Sequence, residues 1–594
     1  SERDAMNPVP MTSFAKPALS LSSIRNQTMN PKSHYAPRLT LLCTMLSLGL
    51  FGTAAHAQSR GAPPPTSGQL LQQVPQTPST PTSSDLGLKV ERPKQDRATD
   101  NHPFLVQSIQ ITGNTLLPTE QLHALLAGSE GKQLTLNDLD ELADRISQAY
   151  QHAGYPLTRA YVPAQTLKDG AVRIAVVEAR YGKVVLQNSS AVSDGPLNAT
   201  LSPLKSGAPV SEYGLERSLL LLSDIPGALT GSVVRPGDEA GTSDLLVNVN
   251  SAPRYTGTVG LDDFGNSYTG RTRLGGNFDI NGLLHQGDLL DFSALSSGGG
   301  MNYFQGGYRY LLNGQGTTLR AAVSTLHYHL ENGLEPLDAH GSALVGSLTL
   351  SQPFVRNTAF NLYGQIEFDR KLLDDDVEAA FIDTNRHANV WVATLAGDQR
   401  DSTGVTNFNI SASHGKITYT DFLAEFIDAL TARTAGTYTK FSGSVSRLQQ
   451  LNDNNALYFG YSAQWANKNL DTSEQFYLGG PNTVRGYDVG ALAGSQGDLF
   501  TAEFRHDFSI PGVWGRWQVA LFADTGRVQV YKNPFVEGTN SGRVSSAGLG
   551  LHWAATDNWV FNASASKPIG NTPVLLGSAD TKTRLWVQVQ KGFY

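Results

Sequence analysis

From Arg254 to the C-terminus the chain is built of alternating segments parted by clusters of Gly, Asn, Asp and Ser. Nowhere does it supply the roughly eighteen uninterrupted apolar residues of a membrane helix. In residues 360–369 the even positions are apolar or glycine, while the odd ones include Asn361, Gln365, Glu367 and Asp369. Leu457, Phe459, Tyr461, Ala463 and Trp465 share one face, as do Phe500, Ala502 and Phe504 against Thr501, Glu503 and Arg505. A soluble sandwich has the same period of two. Aromatic residues near strand ends, strands reaching about ten residues and the alternating segment 585–594, which ends on Phe593 and Tyr594, favour a transmembrane barrel with an apolar face to lipid and a polar face to the lumen. About 340 residues at roughly twenty per strand and turn predict an even number of antiparallel strands near sixteen. That many strands enclose a water-filled lumen unless something plugs it.

A barrel in an outer membrane requires export. The one cysteine, Cys43, lies in the apolar run 39–51, which follows Lys32, His34 and Arg38 and leads to Ala55-His56-Ala57. Basic, apolar and small-x-small segments in that order read as a secretory signal peptide over residues 29–57, beginning at Met29 and cleaved after Ala57. Residues 1–28 show no coherent pattern and are set aside as upstream residues. After cleavage no cysteine remains, which excludes disulfide staples and thiol catalysis. The net charge of -7 points to no nucleic-acid partner.

Residues 58–103 carry Pro63, Pro64, Pro65, Pro75, Pro78, Pro81 and Pro93 and cannot build a core. Within them, residues 67–74 read as a short helix capped by Ser67, with Leu70, Leu71 and Val74 as its apolar residues. Residues 104–180 predict strand, helix, helix, strand, strand. A strand over 104–112 is followed by a short helix over 118–127. A longer helix over 135–152 has Leu136, Leu139, Leu142, Ile146 and Tyr150 at helical spacing, with Thr135 and Asp138 placed to cap it. Two further strands end the unit. Residues 181–252 repeat the order, with Ser211 capping a helix around 215–222 and strands closing the copy. Such small mixed modules expose sheet edges and helix faces, which suit peptide binding rather than catalysis.

One stretch of the barrel region breaks the alternation. Gly479, Gly480 and Pro481 exclude a strand through residues 475–488, so Val484, Arg485, Gly486 and Tyr487 stand in a structured loop. On the strand around 516–525, Trp517, Val519 and Leu521 share one face and Gln518, Ala520, Phe522 and Asp524 the other. With the first face to lipid, Asp524 points into the lumen, where a partly desolvated bidentate pair with Arg485 holds a folded-back loop.

Signal peptide, tandem modules, barrel, Val484-Arg485-Gly486-Tyr487 and Phe522-Ala523-Asp524-Thr525-Gly526 together resemble the two-partner secretion translocators. These are the transporters of haemolysins, filamentous haemagglutinins and contact-dependent toxins, within the superfamily of outer-membrane assembly proteins. Residues 154–165 and 176–180 are similar to the first POTRA module of the secretion branch, departing at Ala179, where that module is expected to carry glycine. The resemblance implies an all-β transmembrane barrel over 253–594, preceded by two α+β POTRA modules over 104–180 and 181–252. It further implies a pore-plugging helix within 58–103, for which 67–74 is the candidate. Val484, Arg485, Gly486 and Tyr487 become the loop motif, and Phe522, Asp524 and Gly526 the motif on the barrel wall. The implied activity is export of a large exoprotein, recognised in the periplasm by its N-terminal secretion domain and passed out unfolded without ATP. The implied partners are that exoprotein, outer-membrane lipid and the assembly machinery that inserts the barrel.

No catalytic residues, cofactor or metal are expected. There is no phosphate loop and no Gly-x-Ser-x-Gly elbow. His327 and His329 share a strand face but show no third ligand in the sequence. Asp374, Asp375, Asp376 and Glu378 lack calcium-loop spacing and read as a charged extracellular loop. The rivals are an insertase of barrel proteins, a passive porin and a barrel enzyme. The number and type of modules weigh against the first, residues 104–252 against the second, and the lack of a convergent site against the third.

Overall fold

The computed structural model describes residues 64–74, 85–90, 102–166, 168–509, 514–577 and 582–594. Residues 1–28 and the expected signal peptide at 29–57 lie outside them.

Sixteen strands, from Tyr255–Asp262 to Arg584–Phe593, form a closed barrel in which each strand pairs antiparallel with its neighbour. The last closes on the first, with Phe593 opposite Gly257. Closure leaves no unpaired edge inside the bilayer, where an unsatisfied backbone group has no water to turn to. Alternation decides the faces. On Phe360–Val377, Ile366 is 53% exposed on the outer wall while Asn361 is 2% exposed on the inner one. Strands run longer than the expected ten residues, up to Ile382–Asp401. Nine to eleven tilted residues cross a bilayer, so these strands project beyond it. Phe368 and Trp391 contact one another on the outer face at 4.9 Å, and beyond them Arg370, His387 and Asn389 face outward alongside one exposed leucine, Leu372. That step from aromatic to charged marks the membrane boundary.

The first module packs two helices, α2 (Thr119–Ala124) and α3 (Leu136–His152), against a sheet of order Ser108–Thr112, Ala171–Val177, Arg159–Tyr161. Helix α3 starts with a full capping box between Thr135 and Asp138, and it buries Leu139, Ile146 and Tyr150 against Ile109 and Ile174. The expected strand over 104–112 divides in two, because Phe104–Val106 pairs with Lys132–Leu134 while Ser108–Thr112 joins the sheet. At the module's end Glu178 accepts from the Tyr150 hydroxyl at 2.8 Å and from the backbone N–H of Thr115 and Leu116 at 2.5 and 2.7 Å. Burial opposes its charge, but the bonds from Thr115, Leu116 and Tyr150 outweigh it and hold the carboxyl below its ordinary value.

The second module has α4 (Asp194–Leu201) and α5 (Glu212–Ser223), the latter capped by Ser211. Helix α4 escapes a periodicity reading because Gly195 and Pro196 sit in its first turn and its apolar face is weak. Its sheet runs Leu88–Val90, Ala228–Pro236, Thr242–Ser251, Arg180–Asn188. The first of these, in parallel register with Ser232–Val234, comes from the proline-rich stretch read as linker. Alternation at Leu86, Leu88 and Val90 was its only signal.

This module is fixed to the turns at one end of the barrel. Arg356, fully buried, makes a bidentate pair with Asp224 at 2.8 and 2.9 Å. Thr358 bonds both oxygens of Glu216, and Arg217 donates to the carbonyls of Pro353 and Phe354. The other end of the barrel is free of the modules among the described residues.

Candidate functional site: the filled barrel lumen

Two segments fill the lumen. The first is the loop that breaks the alternation. Between the paired strands Phe476–Leu478 and Leu492–Gly494, Gly479 and Gly480 both adopt φ of 103°, which lets the chain double back. Arg485 then reaches the wall strand Arg516–Gln529. Its Nε and Nη2 donate to Oδ2 and Oδ1 of Asp524 at 2.9 and 2.7 Å, and its Nη1 donates to Glu503 at 2.7 Å. The guanidinium carbon lies 3.3 Å from the centre of the Phe522 ring. Asp524 is 2% exposed and also accepts from Ser546 Oγ and from the Arg485 backbone N–H, each at 3.2 Å. The Arg485 carbonyl accepts from Ser566 Oγ at 2.5 Å and Trp586 Nε1 at 2.8 Å. A buried pair whose remaining lone pairs are satisfied in this way meets the condition under which burial of charge is tolerated.

The flanking motif residues explain why the loop comes so close. A Cβ at Gly486 would stand 2.6 Å from that of Ser546, and one at Gly526 would meet Leu478 at 2.7 Å. Val484 and Tyr487 are buried with Leu478, Leu492, Val528 and Val544 in a small apolar cluster. Asp488, one residue on, pairs with Arg584 at 2.7 Å and with Arg271. Between the loop and the facing wall remains a cavity of about 520 Å³ lined by polar residues such as Asn407, Ser446, Thr501 and Arg505.

The second segment is helix α1 (Ser67–Gln72), from the proline-rich stretch. It lies inside the barrel near the end away from the modules. Leu70 is fully buried, and with Val74 it packs on the inward side chains Leu295, Met301, Leu326, Tyr328 and Leu373, while Leu71 is partly buried at the margin. The expected cap at Ser67 falls one residue earlier. Thr66 Oγ1 accepts from the Gln69 N–H, and Ser67, the first helical residue, donates its own N–H to Asp375 at 2.6 Å. Thr66 also bonds Thr472 at 2.8 Å, and Gln72 donates to the Ser473 carbonyl. Gly68 lies against the Ser473 backbone with no room for a Cβ. Ser67 Oγ and Gln73 Nε2 are buried without a hydrogen-bond partner among the described residues.

Beneath the helix is an ionic network that sequence reasoning missed. Arg386 pairs with Asp375 at 2.7 Å and Asp471 at 2.6 Å, and Glu474 is held by Lys371 and Lys440 at 2.7 and 2.8 Å. Tyr328 donates to Asp375 as well. Asp374, Asp375 and Asp376 are strand residues rather than the charged loop expected, because the strand continues well past the bilayer. Three aspartates in a row hide the period of two. Asp375 alone faces inward and is buried, while its neighbours face out.

The comparisons with known proteins fit this architecture. The profile for the haemolysin secretion/activation protein ShlB/FhaC/HecB matches residues 241–553, and that for the ShlB-type POTRA domain matches 104–179. The chain is 27% identical over 566 residues to the heme/hemopexin transporter protein HuxB of Haemophilus influenzae, covering 94% of this chain and 99% of that one. It is 24% identical over 516 residues to the outer membrane transporter CdiB of Escherichia coli, covering 78% and 82%. Among solved structures, CdiB from Escherichia coli superposes with a TM-score of 0.66 at 20% identity, over 95% of this chain and all of that one. CdiB from Acinetobacter baumannii gives 0.58 at 17%, over 94% and 97%. With a family profile covering more than half the chain, a closed barrel and a POTRA module ahead of it, the chain belongs to the ShlB/FhaC/HecB haemolysin secretion/activation family, the two-partner secretion transporters of the outer membrane.

Proposed function

We propose that the two modules, taken as residues 104–180 and 181–252, bind the N-terminal secretion domain of one large exoprotein in the periplasm, and that the barrel passes this exoprotein outward unfolded and without ATP. In this reading Val484, Arg485, Gly486 and Tyr487 act with Phe522, Asp524 and Gly526 to position the loop, and Leu70, Leu71 and Val74 seat a plug. The observation that carries it is the manner in which the lumen is filled. Helix α1 is short, lies within the proline-rich stretch, and is seated by Leu70 and Val74 together with polar contacts that water or a passing polypeptide can replace. Arg159–Tyr161, an edge strand of the first module, offers a row of backbone groups for strand addition. The barrel itself depends on outer-membrane lipid and on the assembly machinery for insertion, and no step calls for a catalytic residue or cofactor.

Deleting the protein should leave one large exoprotein in the periplasm while bulk barrel proteins assemble normally. Broad loss of barrel proteins would instead indicate an insertase. Undiminished export of every exoprotein would remove the proposal.

A further inference from the structure

Outside the lumen, the outer face of the barrel carries a side-chain cluster at the end away from the modules. His329 ends the strand Thr318–His329, His340 lies at the start of Ala339–Arg356, and the two are direct cross-strand partners with ring centroids 6.4 Å apart. Their neighbours Tyr328 and Ala339 are buried on the inner wall, so the period of two turns both imidazoles outward. Directly opposed residues on one sheet face have Cβ atoms about 5 Å apart, close enough for two imidazoles to share a small ligand. The turn returns through Asp338, held at φ 43° in the left-handed region that aspartate tolerates. One donor atom each from His329, Asp338 and His340 lies within 4.8 Å of the others. His327, the histidine that sequence spacing paired with His329, instead faces Ser342 and is outside the set.

Two details favour a metal over a chance grouping. Nδ1 of His340 lies 3.3 Å from the Asp338 backbone carbonyl. A proton donated there fixes the ring and leaves Nε2 as the ligand atom, the arrangement that metal-binding histidines commonly show. Asp376 Oδ2, from the next strand, stands 3.8 Å from that Nε2. Ligands about 2.0–2.1 Å from a tetrahedral zinc stand roughly 3.3 Å from one another, so small side-chain rotations bring His329, Asp338 and His340 to bonding distance, with Asp376 beside them. Two imidazoles with carboxylates suit zinc, copper or nickel better than calcium or magnesium, which prefer oxygen donors throughout.

We propose that His329, Asp338 and His340, with Asp376 beside them, bind one divalent first-row transition-metal ion of the zinc class on the outer face of the extracellular rim. Bound there, the ion joins three consecutive strands. Tyr328 and Asp375, the residues next to His329 and Asp376, face inward beneath helix α1, so the ion stiffens the wall on which that helix rests.

The test is titration of the full-length protein in detergent with Zn2+ alone, followed by calorimetry. Wild type should show one saturable site. His329→Ala and His340→Ala should each weaken it roughly tenfold or more, and His387→Ala, an outward histidine outside the cluster, should leave it unchanged. Heat-dependent gel mobility shows whether each variant still holds a folded barrel. Cu2+ in place of Zn2+ should give an electron paramagnetic resonance spectrum with coupling to two imidazole nitrogens, reduced to one in either alanine variant. Equal Zn2+ binding by wild type and a folded His329→Ala/His340→Ala double variant would overturn the proposal, as would an equal loss in His387→Ala.

Discussion

The loop around Arg485 and helix α1 occupy the same lumen but are held by different physics. The loop is joined to barrel strands at both ends, packs an apolar cluster around Val484 and Tyr487, and places its one central cation against a carboxylate whose other bonds are satisfied. Helix α1 is anchored to the wall by Leu70, Val74 and a handful of polar bonds, and it leaves Ser67 Oγ and Gln73 Nε2 buried without partners among the described residues. Buried unpaired groups cost about 1–3 kcal/mol each. Among the described residues, the helix has fewer protein partners for its polar groups than the loop around Arg485 has. The proposal that the helix leaves the lumen during export while the loop stays rests on this difference.

The largest expected effect falls on the satisfied element. Arg485→Ala leaves Asp524 buried without its cation, while Glu503 keeps Arg505 at 2.6 Å, a loss of about 3–5 kcal/mol for a broken buried pair. Export of the cognate exoprotein, measured by immunoblot of culture medium, should fall by an order of magnitude or more. Unchanged export would show that the loop needs no ion pair to hold its place. Asp375→Asn acts on the other element and should act more gently. It weakens the bond to the Ser67 N–H while Arg386 keeps Asp471, so a loss of about 1 kcal/mol in helix seating is expected. Single-channel recordings should show open events several-fold more frequent than in wild type, with export retained. A drop in export comparable to that of Arg485→Ala would erase the distinction between the two elements.

Glu178 supplies a reference away from the lumen, a fully bonded buried carboxylate like Asp524 but within a module. Its folded-state pKa is lowered. Its stabilisation is therefore present above the unfolded value of about 4.3 and is lost as pH falls through the folded value. Limited proteolysis of the first module in the full-length protein should accelerate below about pH 4.3, and Glu178→Gln should flatten that acid limb while lowering stability at neutral pH.

The loop was legible in the sequence because two independent signals converge there. Gly479, Gly480 and Pro481 rule out a strand, and the parity of the strand Arg516–Gln529 fixes which way Asp524 points. The architecture was legible for the same reason, since period two persists through the barrel and the capping residues Thr135 and Ser211 mark helix starts. The network beneath helix α1 was not. Asp375 is masked by its aspartate neighbours, and Arg386, Asp471 and Glu474 come from separated segments that no local pattern connects. The same holds for Arg356 and Asp224, which join the second module to the barrel. Sequence periodicity reports which face a residue takes, but it is silent on which distant residue waits there.

The proposed contrast between a fixed loop and a helix that leaves the lumen can be tested by a cross-link. Thr66 and Thr472 hydroxyl oxygens lie 2.8 Å apart, and Cys43, the one native cysteine, lies within the expected signal peptide. Thr66→Cys with Thr472→Cys should therefore form a disulfide in the oxidising periplasm and outer membrane. The predicted result is that export stops when the bond forms and returns on reduction, while each single variant exports normally. Full export with the cross-link quantitatively formed would contradict the account, because the helix would then never need to leave the lumen.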